Sequence, residues 1–139
     1  MKLETARRIY RVTGIWDLVL TLPFALPFVN GAVIGLLSSL NTWISPQRAF
    51  PEFGEIHLFF VQLFGILAVI WALVRIHRPD RFLASYDTIG RIVVASCMIA
   101  FTLGGGSFVP SLFSVSEISF GILQAIALIR TNSQKNVKL

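Results

Sequence analysis

The chain has little charge. Asp, Glu, Lys and Arg together make up 14% of its 139 residues. A water-soluble domain of this size has far more surface than so few charges can cover, which excludes a soluble globular fold. Cysteine is nearly absent: the single Cys97 cannot form an intrachain disulfide, so no disulfide scaffold is available. Lying in an apolar run, it is expected to be ordinary packing. The ten glycines follow no period, which excludes a collagen-like chain. Polar low-complexity sequence is missing as well, and a chain that is 55% hydrophobic is not disordered.

Catalytic and cofactor motifs are also lacking. There is no P-loop, GxGxxG, HExxH, CxxC or GxSxG. Gly104-Gly105-Gly106 is followed by no helix bearing a Lys and a Ser/Thr hydroxyl, so it is a turn and not a phosphate cradle. His57 and His77 fall at opposite membrane faces and cannot share one haem iron. No cofactor and no resident metal are expected.

What is present is a series of apolar runs with a mean hydropathy of +0.74. At about 20 residues per helical crossing, the length accommodates about four spans with short loops. The expected fold is therefore all-α, an integral membrane four-helix bundle forming a single transmembrane domain over residues 1–139. The spans are expected near residues 12–28, 55–74, 89–109 and 112–129, with a polar, frayed tail at 130–139. Pro23 and Pro27 should kink or end the first span. The segment AVIGLLSSLNTWI is too short to cross a bilayer and is expected as an interfacial or re-entrant helix between spans one and two, with Trp43 at headgroup level. The N-terminal run carries Glu4 as well as bases, and its apolar stretch holds Asp17 and two prolines. It is expected as a retained first span and not a cleaved signal.

The net charge of +5 and the pI near 10.2 would suggest nucleic acid in a soluble protein. The distribution of the bases points elsewhere. They form three clusters: Lys2, Arg7, Arg8 and Arg11; Arg75, Arg78, Arg81 and Arg91; Arg130, Lys135 and Lys138. With four spans and an inner N-terminus, all of them lie on the inner side and only Arg48 lies outside. The expectation is a protein of the bacterial plasma membrane with both termini cytoplasmic. Its basic residues meet anionic lipid headgroups, and nucleic acid is not a partner.

Ionisable residues within spans are costly and usually face the bundle interior or a cavity, so they are the candidate functional groups. They sort into two layers. The outer layer holds Glu55, His57 and Glu117. A spacing of seven residues returns a helix to nearly the same face, so Glu55 shares a stripe with Gln62 and Glu117 shares one with Gln124. Gly65 and Gly121 continue these stripes, and polar plus small residues suit an inward face. Glu55 and Glu117 are the candidate catalytic pair, since two close carboxylates in a low dielectric share a proton. His57, Gln62 and Gln124 are the candidate ligand-binding residues. A cation held by both Glu and His57 is an alternative, but Glu55 and His57 are two apart and point to different faces. A plainer alternative makes Glu55 a solvated residue at a helix N-terminus.

The inner layer holds Asp17, Asp87 and Arg91, an ion-pair or relay set. Asp87 and Arg91 are four apart in the favourable acid-before-base order, Asp17 can bridge to Arg91 from the facing helix, and Arg91 can snorkel to the inner surface. The three Trp, including Trp16 and Trp71, are expected as an aromatic belt. Two hairpins are suggested by Tyr10-x3-Gly14 against Tyr86-x3-Gly90, and by Glu55-Ile56-x5-Gln62 against Glu117-Ile118-x5-Gln124.

With the spans placed, Arg8 and Gly14 entering span one, Phe53-Gly54-Glu55 opening span two and Gly65 within it give a pattern that resembles the DoxX-like group of small four-span membrane proteins. That resemblance implies a fold more than an activity. Glu55, His57 and Glu117 are also similar to the acidic layer of sterol-isomerase-like membrane proteins, which have one span more. The function expected is binding of a small lipophilic molecule in an outer-half pocket, with carboxylate acid–base chemistry in an enzyme version. A proton-coupled transporter and a non-catalytic assembly subunit are the alternatives. Four short helices enclose little volume, so a homo-oligomer or a place in a membrane assembly is expected.

Overall fold

The computed structural model describes the backbone of residues 1–136 and the side chains of residues 1–131. Among these, all regular structure is helical: α1 (Leu3–Ala25), α2 (Val29–Ile44), α3 (Glu55–His77), α4 (Arg81–Leu103) and α5 (Val109–Asn136). α3, α4 and the stretch Val109–Thr131 of α5 are long and apolar enough to cross a membrane. α1 meets that standard only together with α2, from which it is bent by 106°.

Local sequence accounts for the boundaries. α1 ends two residues beyond Pro23. Pro27 then holds Leu26 extended, and Phe28 turns the chain in the left-handed region at φ 67°. α3 opens with the Nδ1 of His57 accepting from the Gly54 N–H at 3.2 Å. Asp80 caps α4 by accepting from the Leu83 N–H at 3.0 Å. That cap starts the helix at Arg81, eight residues before the expected third span. Gly105 lies at φ 95°, a conformation that costs glycine little, and breaks the chain between α4 and α5. Pro110 sits in the first turn of α5, where its missing N–H is harmless.

Two expectations change here. The polar tail from Arg130 is helical as far as Asn136, because the 3.6-residue ladder continues through it. Residues 137–139, with Lys138, and the side chain of Lys135 lie outside the described residues. Cys97 is exposed on α4 and packs no core.

α1 packs along α3 and α4 along α5, and α1 meets α5 to join the two pairs. The contacts are made by small residues. A Cβ added to Gly65 would lie 2.6 Å from the backbone nitrogen of Ala25, and one added to Gly14 would lie 3.3 Å from the Ala72 carbonyl. Buried apolar residues are mostly alanines: Ala6, Ala72, Ala84, Ala95 and Ala127. The largest fully buried side chains are Gln124, Val109, Thr13 and Ser107. Leu, Ile, Val and Phe line the outside instead, with Phe64 at 67% and Leu67 at 61% exposure. A polar interior with an apolar exterior inverts the distribution of a water-soluble bundle.

The hairpin pairing suggested by the sequence matches the packing order, but the matched residues occupy different environments. Tyr10 and Gly14 are buried, whereas Tyr86 and Gly90 are exposed. Gln124 is fully buried, whereas Gln62 is half-buried and forms no hydrogen bond among the described residues.

The end of the bundle carrying the α4–α5 turn is locked by a polar clasp. Arg48 donates through Nη1 to the carbonyls of Thr102 (2.7 Å) and Gly106 (2.9 Å), which close α4 and the turn. Its guanidinium lies 4.1 Å from the centre of the Phe108 ring. Asn41 of α2 donates to the Arg48 carbonyl at 2.7 Å and accepts from Ser107 Oγ at 2.6 Å. Ser107 Oγ accepts from the Val109 N–H at 3.1 Å, capping α5.

Candidate functional site

Asp17, Arg75, Asp87, Arg91 and Glu117 form one ion-pair network, drawn from α1, α3, α4 and α5. Arg91 is its hub. Nε donates to Asp87 Oδ2 at 3.0 Å, Nη1 to Glu117 Oε2 at 2.9 Å and Nη2 to Asp17 Oδ2 at 2.5 Å. Arg75 completes the ring, its Nη2 donating to Asp17 Oδ2 and its Nη1 to Asp87 Oδ2. Both arginine side chains are 3% exposed. Arg91 lies ten residues into α4, about 15 Å along its axis at 1.5 Å per residue. That depth corrects the snorkelling expectation: three carboxylates hold the guanidinium in the middle of the bundle, and nothing draws it to a surface.

A neutral polar layer supports the ring. Gln124 Nε2 donates to Asp87 Oδ2 at 2.8 Å and to Thr13 Oγ1 at 2.7 Å, while its Oε1 accepts from Thr88 Oγ1 at 3.2 Å. Trp71 Nε1 donates to Asp87 Oδ1 at 3.1 Å. Asp87 therefore accepts from two arginines, a glutamine and a tryptophan, and both its oxygens are engaged. In a low-dielectric interior this engagement makes the burial of Asp87 tolerable, whereas Arg75 Nε is buried without a hydrogen-bond partner among the described residues.

Asp17 and Glu117 are less engaged. Each uses one oxygen in the ring, and its other oxygen accepts no hydrogen bond among the described residues. Their side chains retain 17% and 18% exposure. Both face a cleft of about 240 Å³ between α3 and α4, walled by Leu20, Ala68, Trp71 and Val94 and also lined by Arg75, Asp87 and Arg91. Three carboxylates stand against two guanidinium groups, a formal charge of −1. The cleft thus presents two free acceptor oxygens on a cluster one positive charge, or one proton, short of neutrality.

The sequence-derived site residues divide accordingly. Asp17, Asp87 and Arg91 come together, with the Asp17–Arg91 bridge and the Asp87–Arg91 pairing at four residues. Glu117 and Gln124 join them, which corrects the two-layer picture: Glu117 belongs with the supposed inner set. Glu55 does not. It opens α3, exposed, whereas Trp71 and Arg75 lie 16 and 20 residues further along the same helix. At 1.5 Å per residue that is about 24 and 30 Å, so the expected Glu55–Glu117 pair is not formed. His57 is exposed and caps α3 from its first turn. Among the described residues no three His, Cys, Asp or Glu side chains assemble as a metal-ligand set.

Arg75, Trp71, Thr13 and Thr88 are the members that sequence reasoning missed. Sequence position alone groups Arg75 with the inner basic loop and Trp71 with the aromatic belt. A signal was available for Arg75, which follows Trp71 by four residues and so shares its helix face. No family model, curated protein or solved structure matches the chain.

Proposed function

We propose that the chain is an integral membrane protein that binds a small lipophilic molecule in the α3–α4 cleft. The observation that carries this reading is the pair of free carboxylate oxygens, on Asp17 and Glu117, at a cleft with apolar walls and an uncompensated negative charge. Such a site favours a head that donates hydrogen bonds, a hydroxyl or an ammonium group, on an apolar body. It disfavours an anionic head, because both arginines are already neutralised. α3, α4, α5 and the bent α1–α2 unit serve as four crossings. The basic residues of α1 and of the α3–α4 turn support an orientation with both termini on the cytoplasmic side, the membrane on this reading being a bacterial plasma membrane. Gly14 and Gly65, two of the residues behind the DoxX-like resemblance, are where α1 and α3 touch.

In the enzyme version, Glu117 passes a proton to or from the bound head and Arg91 stabilises its ionised form. The odd charge count also favours a second reading, in which the cluster takes up and releases a proton as a transported molecule enters and leaves. The first reading is tested by mass spectrometry of the protein released gently from its membrane. The expected result is a stoichiometric lipophilic adduct on the wild type and on Glu55→Gln, weakened in Glu117→Gln. A bare wild-type chain would refute binding, and an adduct lost equally in both variants would refute the cleft. The second reading requires a pH gradient across proteoliposomes to drive flux of that adduct molecule, and no flux at any gradient removes it.

A further inference from the structure

A second cleft lies at the C-terminal end of α3, just beyond Arg75 and lined by none of the ion-pair network's residues. It measures about 390 Å³ and is lined by Arg7, Arg11, His77, Arg78, Pro79 and Asp80. Among the described residues neither Arg7 nor Arg11 is paired with a carboxylate. Arg78 reaches Asp80 only at 3.8 Å with its side chain 79% exposed, and Asp80 is already engaged as the cap of α4. Three guanidinium groups against one carboxylate leave a formal +2, with His77 neutral. Arg11 is held in place by its Nε, which donates to the Ile76 carbonyl at 3.3 Å, and its terminal nitrogens make no hydrogen bond among the described residues. His77 Nδ1 lies 2.8 Å from the Leu73 carbonyl, so that nitrogen carries the hydrogen and Nε2 faces outward from the contact.

This basic cleft does not end at α3. His77 and Arg78 also line an adjoining groove of about 300 Å³ whose other walls are Ile70, Leu73 and Val74. A cationic cleft that shares His77 and Arg78 with an apolar surface groove fits an amphiphile with an anionic head, and a small free anion would leave the apolar groove empty.

We propose that this junction binds an anionic phospholipid, its phosphate against Arg7, Arg11 and Arg78 and one acyl chain along Ile70, Leu73 and Val74. The proposal rests on the membrane reading above but is independent of the α3–α4 cleft and its ligand. Guanidinium groups suit phosphate because their N–H forks match its oxygens in pairs.

The test titrates the full chain, purified in a neutral maltoside detergent, with dioleoyl phosphatidylglycerol or dioleoyl phosphatidylcholine and counts bound lipids by native mass spectrometry. One phosphatidylglycerol is expected to be retained in preference to phosphatidylcholine. The double variant Arg7→Gln/Arg78→Gln should reduce that preference about fivefold per guanidinium removed. Arg130→Gln, a basic residue outside the cleft, should leave it unchanged, and Leu73→Asn should weaken both lipids. The arginines changed are exposed, so the fold is retained. Equal binding of the two lipids overturns the proposal, as does equal loss in Arg130→Gln. Displacement of the lipid by inorganic phosphate, with no effect of Leu73→Asn, would make the ligand a free phosphate and also overturn it. A chain that stays dispersed without detergent would refute the membrane reading itself. An embedded chain without lipid preference would refute only this site.

Discussion

Replacing Arg91 by Gln tests whether the ion-pair ring organises the bundle. The substitution removes the hub of three carboxylate contacts, on helices α1, α4 and α5. It also moves the formal charge of the cluster from −1 to −2. Removing one partner of a buried pair leaves an uncompensated charge in low dielectric, which costs about 3–5 kcal/mol. Glu117→Gln acts in the opposite sense. It brings the cluster to neutrality, and the amide oxygen can still accept from Arg91 Nη1, so its effect should stay within about 1 kcal/mol of zero. The double variant returns the charge to −1. It should be more stable than the sum of the single changes by roughly 1–3 kcal/mol, a coupling expected of groups in one network. The assay is equilibrium unfolding in mixed micelles, with helix content followed by far-ultraviolet circular dichroism. Three results would refute the reasoning: Arg91→Gln within 1 kcal/mol of wild type, Glu117→Gln as damaging as Arg91→Gln, or strictly additive effects in the double variant.

Two further outcomes follow from the packing. Gly65→Ala would put a Cβ 2.6 Å from the Ala25 backbone nitrogen, whereas Gly121→Ala would put one at an ordinary 3.7 Å from Arg91 Cβ. The first should lower the unfolding temperature clearly and the second hardly at all, and equal effects would dispute the close approach of α1 to α3. Arg48→Ala frees the Thr102 and Gly106 carbonyls at the α4–α5 turn, which should cost about 1–3 kcal/mol. Hydrogen exchange should rise at residues 102–109 while α3 stays protected, and unchanged exchange at the turn would show that the clasp does not hold it.

Much of the fold was legible along the chain because it depends on local quantities. Long apolar runs broken by Pro23, Pro27, Pro79 and the Gly104–Gly106 turn specify where helices stop. α2 was visible as an apolar segment too short to cross. The Asp87–Arg91 pair was visible because four residues is one helical turn. Helix starts were less accurate: hydropathy marks apolar sequence, but α1 and α4 begin in charged sequence, where backbone hydrogen bonding and the Asp80 cap decide.

The site was legible only in part, and the reason is depth. Glu55 and Glu117 look alike in sequence, each seven residues before a Gln, yet one opens its helix and the other lies eight residues into α5. Arg75 sits next to a basic loop and is nevertheless 2% exposed. By itself the sequence determined the composition of the bundle: helical, apolar outside and marked by a few costly charges. Which of those charges meet was decided by the tertiary structure. Small residues at Gly14 and Gly65 set how closely α1 and α3 approach and how far they slide past one another. A slide of one turn moves a side chain by about 5.4 Å, enough to make or break an ion pair.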